Sequence, residues 1–188
     1  MDLAARQPGL VNRMIRAARL EVPLYEEVEA DLSATNQALL VVVIVAIAEG
    51  IGQALSGGNV VGRLVLGVLN SLIGWAVWSY VVYFVGTRFM GGTATYGELL
   101  RTLGFAETPG VLGILSFIPV LGPLAAVIGG IWTIVASFIG TRQALDIDNG
   151  KTVITIVLAI VALIIVVSIV SIIVGTIFGL GGLIGQAI

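Results

Sequence analysis

The chain has 188 residues, of which 58% are hydrophobic and 11% charged, with a mean hydropathy of +1.11 and a formal net charge of −2. A water-soluble domain carries about 25% charged residues, so this composition excludes a soluble globule and implies an integral membrane protein. With no cysteine and no histidine, disulfides, thiolate metal sites and the commonest general base are all removed; no nucleophile with its base replaces them, and neither an enzyme nor a cofactor is expected.

The first 34 residues read as a polar arm. Residues 8–22, PGLVNRMIRAARLEV, wrap at 100° per residue into an amphipathic helix. Leu10, Val11, Met14, Ile15, Ala18 and Val22 fall on one side, and Asn12, Arg13, Arg16 and Arg19 on the other. Beside a spanning segment such a basic helix is expected to lie in the interface, with Arg13, Arg16 and Arg19 on anionic headgroups. The alternative is a helix packed on its own membrane domain. Pro23 then starts an acidic helix over 23–34, with Leu24, Tyr25, Val28 and Leu32 as a narrow apolar stripe. The first thirty residues hold no continuous apolar core, so a cleavable signal peptide is not expected.

From residue 35 onward the pattern predicts an all-α membrane domain of five transmembrane helices, at about 36–55, 64–85, 99–118, 124–139 and 152–178. Glu49 interrupts the first span, and Arg63 stands at the entrance to the second. The third is short or broken. Thr95 and Glu98 have capping-box spacing, which starts a helix at Tyr96, and Thr108–Pro109 looks like a second N-cap and first helical position. The uncharged turn PVLGP, 119–123, leads to the fourth span. The stretch DIDNG, 146–150, opens like a calcium loop but lacks the remaining ligands and reads as a turn into the fifth span.

A carboxylate near mid-membrane costs about 2.5–3.5 kcal/mol on insertion scales, so Glu49 and Glu107 need partners. Arg63 is the expected partner of Glu49, and Arg142 or Arg101 of Glu107. The candidate intramembrane polar sites are therefore Glu49, Arg63, Arg101, Glu107, Pro109 and Arg142. They either line a proton or cation path or fix helix register. Orientation follows the basic residues. With the N-terminus cytoplasmic, four arginines of the arm, Arg88, Arg101, Arg142 and Lys151 lie inside, against Arg63 alone outside, and the C-terminus lies outside.

Three stretches carry a family resemblance: RAARLEVPLYEEVEADLSATNQALLVVVIVAI, YGELLRTLGFAETPGVLGIL and IWTIVASFIGTRQALDID. Together they resemble the Yip domain family, membrane proteins named for interaction with Ypt/Rab GTPases. Leu99, Leu100, Arg101, Gly104, Phe105, Ala106 and Pro109 carry the most specific part. The resemblance implies five spans with the N-terminus inside, in agreement with the charge count. Eukaryotic relatives are linked to vesicle traffic and organelle shape and bind lipidated Rab proteins through a cytoplasmic N-terminal region. Here that region is only about 34 residues, which points to a prokaryotic member in a cell membrane without a Rab cycle.

What carries over is a membrane scaffold or adaptor with a cytoplasmic recognition arm. Its expected partners are anionic lipid headgroups and an unidentified protein, with no nucleic acid. Deleting residues 1–30 should abolish partner capture while leaving insertion and folding intact. The alternative is a small-solute or ion transporter or channel component using Glu49 and Glu107. A homo-oligomer, or a subunit of a larger membrane complex, is a third possibility.

Overall fold

The computed structural model describes residues 9–55 and 60–185, and among these every regular element is helical. Two short helices of the arm, α1 (Leu10–Ala18) and α2 (Val22–Ala30), precede α3 (Ala34–Leu55) and α4 (Val60–Phe89). Then come α5 (Tyr96–Ala106), a 3-10 helix (Thr108–Phe117), α6 (Leu121–Leu145) and α7 (Asn149–Gly185). Four of these are long and apolar enough to cross a membrane: Ala34–Leu55, Leu64–Phe89, Leu121–Leu145 and Asn149–Thr176.

The expected third span is not one helix. An 11-residue α-helix is followed by a 10-residue 3-10 helix, which at about 2.0 Å per residue extends about 20 Å, short of the ~30 Å hydrocarbon core. Local chemistry sets both boundaries. At the start, the Thr95 amide donates to Glu98 Oε2 (2.7 Å) and the Glu98 amide donates to Thr95 Oγ1 (3.3 Å), completing the capping box. At the break, Pro109 has no N–H to offer the Phe105 carbonyl four residues back. The Thr108 hydroxyl donates to that carbonyl instead, at 2.6 Å. Thr108 is thus the first residue of the 3-10 helix and not its N-cap, which is Glu107.

The broken segment runs parallel to α3 and so close to it that glycine is required. A Cβ on Gly104 would lie 2.8 Å from the Ala38 Cβ, one on Gly113 2.5 Å from the Glu49 Cγ, and one on Gly52 2.4 Å from the Gly113 carbonyl oxygen. Residues 104–116 therefore climb beside α3 from Ala38 to Gly52.

Helices α4, α6 and α7 begin earlier and end later than their apolar runs. The extra turns at the polar end are packed together: Val82, Val85, Leu99, Leu103, Ala144, Leu145 and Ala159 form one buried cluster. Gly86 and Gly92 both lie against the Leu145 side chain. Along α7, Thr152, Thr155 and Ala159 are buried, whereas Ile164 through Val174 offers bulky apolar side chains to the outside on every face. A helix that is apolar all round and unburied by its own chain suits hydrocarbon.

The arm is not a separate body. Ala17, Leu24, Tyr25 and Val28 are fully buried, and Ala17, Leu24 and Val28 share a core with Ala38, Val41, Trp75 and Phe105. The single helix expected over 8–22 ends at Ala18, because Leu20 turns the chain with φ of 60°. That reversal lays α1 on the acidic α2.

Candidate functional site

Two polar regions stand out, one at the arm and one inside the bundle. In the arm, Arg13 is only 2% exposed. Its Nε donates to Glu27 Oε1 (2.9 Å), one terminal nitrogen to Gln37 Oε1 (3.1 Å) and the other to Asp31 Oδ2 (2.8 Å). Arg16 donates to Glu27 Oε2 (2.5 Å) and Glu21 Oε2 (3.2 Å). The amphipathic pattern predicts both arginines on lipid headgroups; the structure turns them inward, onto the acids of α2. The physical reason is the reversal at Leu20, which brings two opposite charge faces together. Buried arginine then finds the complete set of charge-assisted acceptors that burial demands. Arg19 stays exposed, and with Val11 (67% exposed) and Ile15 (48%) it forms the outward stripe of α1.

These contacts fix the charge states. Burial pushes Glu27 upward, but its bonds from Arg16 and Arg13 outweigh this and hold it below the usual carboxylate range. Asp31 is held low chiefly by the Ser33 hydroxyl, which donates to Oδ1 at 2.6 Å, and secondarily by Arg13. The bond to Glu27 raises Arg16.

The arm is clamped to the membrane domain by side chains of α5 and α6. Arg101, 4% exposed, donates through Nε to the carbonyls of Val28 (2.9 Å) and Glu29 (3.0 Å), and its terminal nitrogen also reaches Glu29 O. It thereby satisfies carbonyls that the end of α2 leaves without amide partners. Trp132 Nε1 donates to Ala18 O (2.8 Å), and Gln143 Nε2 donates to Glu26 Oε1 (2.7 Å).

Arg101 was one expected partner of Glu107, and it is committed to the arm instead. Arg142 was the other. It donates to Gln143 Oε1 (3.0 Å) and Asn149 Oδ1 (3.1 Å) at the end of α6. The pairing of Glu49 with Arg63 falls on a side chain outside the described residues.

Inside the bundle, Glu49 and Glu107 share the walls of two cavities. One, of about 560 Å³, lies between α3, the 3-10 helix and α6, and also carries Gln53, Ser116 and Thr133. The other, of about 220 Å³, lies toward α4, with Ser71 and Trp75. Among the described residues, no lysine or arginine lines either cavity. A three-residue period in the sequence marks this face. Glu107, Gly110, Gly113 and Ser116 recur every three residues, which stacks them on one side of a 3-10 helix, and all four face the larger cavity. Pro109 is buried and acts through the break it imposes. The arm's docking contacts carry no such mark. Gln37 and Gln143 sit in the polar flanks of apolar runs and Trp132 within one, with no periodic signature to mark them.

The sequence profile of the Yip1 domain matches residues 25–172. No curated protein and no solved structure matches the chain.

Proposed function

The chain belongs to the Yip1 domain family of multi-pass helical membrane proteins, and from that premise we propose that it is a non-enzymatic membrane scaffold whose docked N-terminal arm presents a fixed recognition surface. One observation carries this reading: Arg13, buried and bonded to Glu27, Asp31 and Gln37, locks α1 and α2 together and onto α3. Among the groups that remain outward is the stripe of Val11, Ile15 and Arg19 on one side of α1. A short apolar stripe with one cation suits the boundary of an anionic leaflet or a partner protein held there.

In this reading the chain makes five passages. The third is the composite of α5 and the 3-10 helix climbing beside α3, and the N-terminus is cytoplasmic in a prokaryotic cell membrane. The charge asymmetry supports that orientation. The all-round apolar surface of α7 leaves room for a second copy or another subunit.

The experiment is photo-crosslinking in native membranes, comparing wild type with Val11→Ser/Ile15→Ser/Arg19→Glu. These side chains are exposed, so the fold should persist while captured lipid or protein is lost. Unchanged capture would remove the support for a scaffold. A second reading, passage of a proton or cation, is favoured by the shared cavity walls of Glu49 and Glu107. Flux into proteoliposomes that is abolished by Glu107→Gln would favour it over the scaffold.

A further inference from the structure

Helix α7 meets the rest of the chain along a seam that stops early. Thr152, Thr155 and Ala159 are buried, and past Ala159 none of its described side chains is. Beside that seam α4 and α7 leave a groove of about 560 Å³ between them. Tyr80, Phe84 and Phe89 of α4 face Leu158, Ala162 and Ile165 of α7 across it. Phe84 and Phe89 pack edge to face with ring centroids 6.0 Å apart, which preshapes the α4 wall. From Tyr80 to Phe89, and from Leu158 to Val166, the groove covers about 12–14 Å of helix at ~1.5 Å per residue. That is close to half of the ~30 Å hydrocarbon core, the depth of one leaflet. Phe89 also ends the spanning part of α4, so the groove opens at a membrane surface.

Two cations stand at that mouth. On α4, Arg88 follows Phe84 by four residues and Val81 by seven; on α7, Lys151 precedes Leu158 by seven, Ala162 by eleven and Ile165 by fourteen. Those spacings put each cation on the groove-lining face of its own helix. Both are exposed. The other two basic residues of this end are committed, Arg101 to the Val28 and Glu29 carbonyls and Arg142 to Gln143 and Asn149. Among the described residues neither Arg88 nor Lys151 is in an ion pair. Asp148, the nearest acid in sequence to Lys151, accepts from the Lys151 amide through Oδ1 at 3.0 Å.

We propose that this groove holds one anionic phospholipid, with an acyl chain along Phe84 and Ala162 and its phosphate between Arg88 and Lys151. The required ligand is an anion joined to a hydrocarbon chain one leaflet deep. A zwitterionic headgroup would bring its own ammonium to the same two cations, so a net negative headgroup binds better. A second copy of this chain fits the groove less well: a two-fold pairing through this face would set Arg88 and Lys151 against their own copies, cation against cation. The site uses only the α4–α7 geometry and is independent of the scaffold reading and of the α1 stripe.

The test is native mass spectrometry of the full-length protein in neutral detergent, titrated with phosphatidylglycerol and phosphatidylcholine of equal chain length. Wild type should retain one phosphatidylglycerol per chain in preference to phosphatidylcholine. Arg88→Gln/Lys151→Gln should weaken phosphatidylglycerol binding about 30-fold, the worth of two surface cations on an anionic headgroup, and should remove the preference. Ala162→Phe should lose both lipids, because the ring fills the groove. Val11→Ser/Ile15→Ser/Arg19→Glu should keep the wild-type preference. Equal retention of the two lipids by wild type would overturn the proposal, as would binding within about threefold of wild type in the double-glutamine variant. A lipid-free dimer formed through this face, or loss of the preference in the α1 variant alone, would do the same. Arg88 and Lys151 are exposed, so their variant keeps the fold and decides the outcome even where the bulkier Ala162→Phe does not fold.

Discussion

Replacing Arg13 by methionine tests the arm most sharply. Methionine keeps much of the apolar stem but removes a guanidinium that is 2% exposed and bonded to Glu27, Gln37 and Asp31. Removing one partner of a fully buried ion pair costs about 3–5 kcal/mol. Here the stranded groups are not helpless. Glu27 is 29% exposed and keeps Arg16, while Asp31 is 18% exposed and keeps Ser33. Discounting for that solvent access, we expect a loss of about 2–3 kcal/mol in arm docking. At about 1.4 kcal/mol per tenfold, this is roughly a 30- to 140-fold rise in the undocked population.

Trypsin reports that population directly, since cleavage at Arg16 requires α1 to open and proteolysis follows the open fraction when reclosing is fast. Cleavage at Arg16 in Arg13→Met should accelerate by that factor. The double variant Arg13→Met/Asp31→Asn should recover part of the loss, because the stranded acid has gone. An acceleration below about threefold would refute the reasoning and return Arg13 to the lipid headgroups.

Further outcomes follow from the same contacts. Deleting residues 1–30 should not give a clean loss of partner capture but a misfolded protein, because Leu24, Tyr25 and Val28 are fully buried; Leu24→Ala alone should cost about 2–4 kcal/mol in detergent unfolding. Gly52→Ala should destabilise strongly, since its Cβ would sit 2.4 Å from the Gly113 carbonyl, whereas Gly67→Ala meets nothing within 4 Å and should gain about 0.5–1 kcal/mol from helix propensity. Glu27 and Asp31 are both held below their ordinary values of 4.5 and 3.8. Their contribution to docking is therefore present above those values and lost as pH falls through the lowered ones. Cleavage of the arm by pepsin, which is active in acid, should thus rise as pH falls through that range.

The membrane class, the arm and the apolar runs were legible in the sequence because composition and hydropathy are additive along the chain. The capping box at Thr95 and Glu98 and the break at Pro109 were legible because each is set by residues within four positions of one another. Three features were not. The inward turn of Arg13 depends on Leu20 adopting positive φ, which no propensity favours in a leucine. The form of the segment after Ala106 depends on a 3-10 continuation, Thr108–Phe117, whose three-residue period is hidden among 25 glycines. Partner choice for Arg101 and Arg142 was assigned by membrane depth, whereas the structure assigns it by the nearest unsatisfied carbonyl or amide at the ends of α2 and α6. Helix ends, more than spans, determine where the cations go.

Hydrogen exchange of the full-length protein in lipid nanodiscs addresses the arm's integration most directly. Amides of α2 from Glu26 to Ala30, beneath the Arg101 clamp, should exchange as slowly as those of the buried stretch Leu99–Ala106 of α5 at pH 5.5. Exchange within seconds, as for a free peptide, would mean that the arm is not part of the membrane domain and that no fixed recognition surface exists.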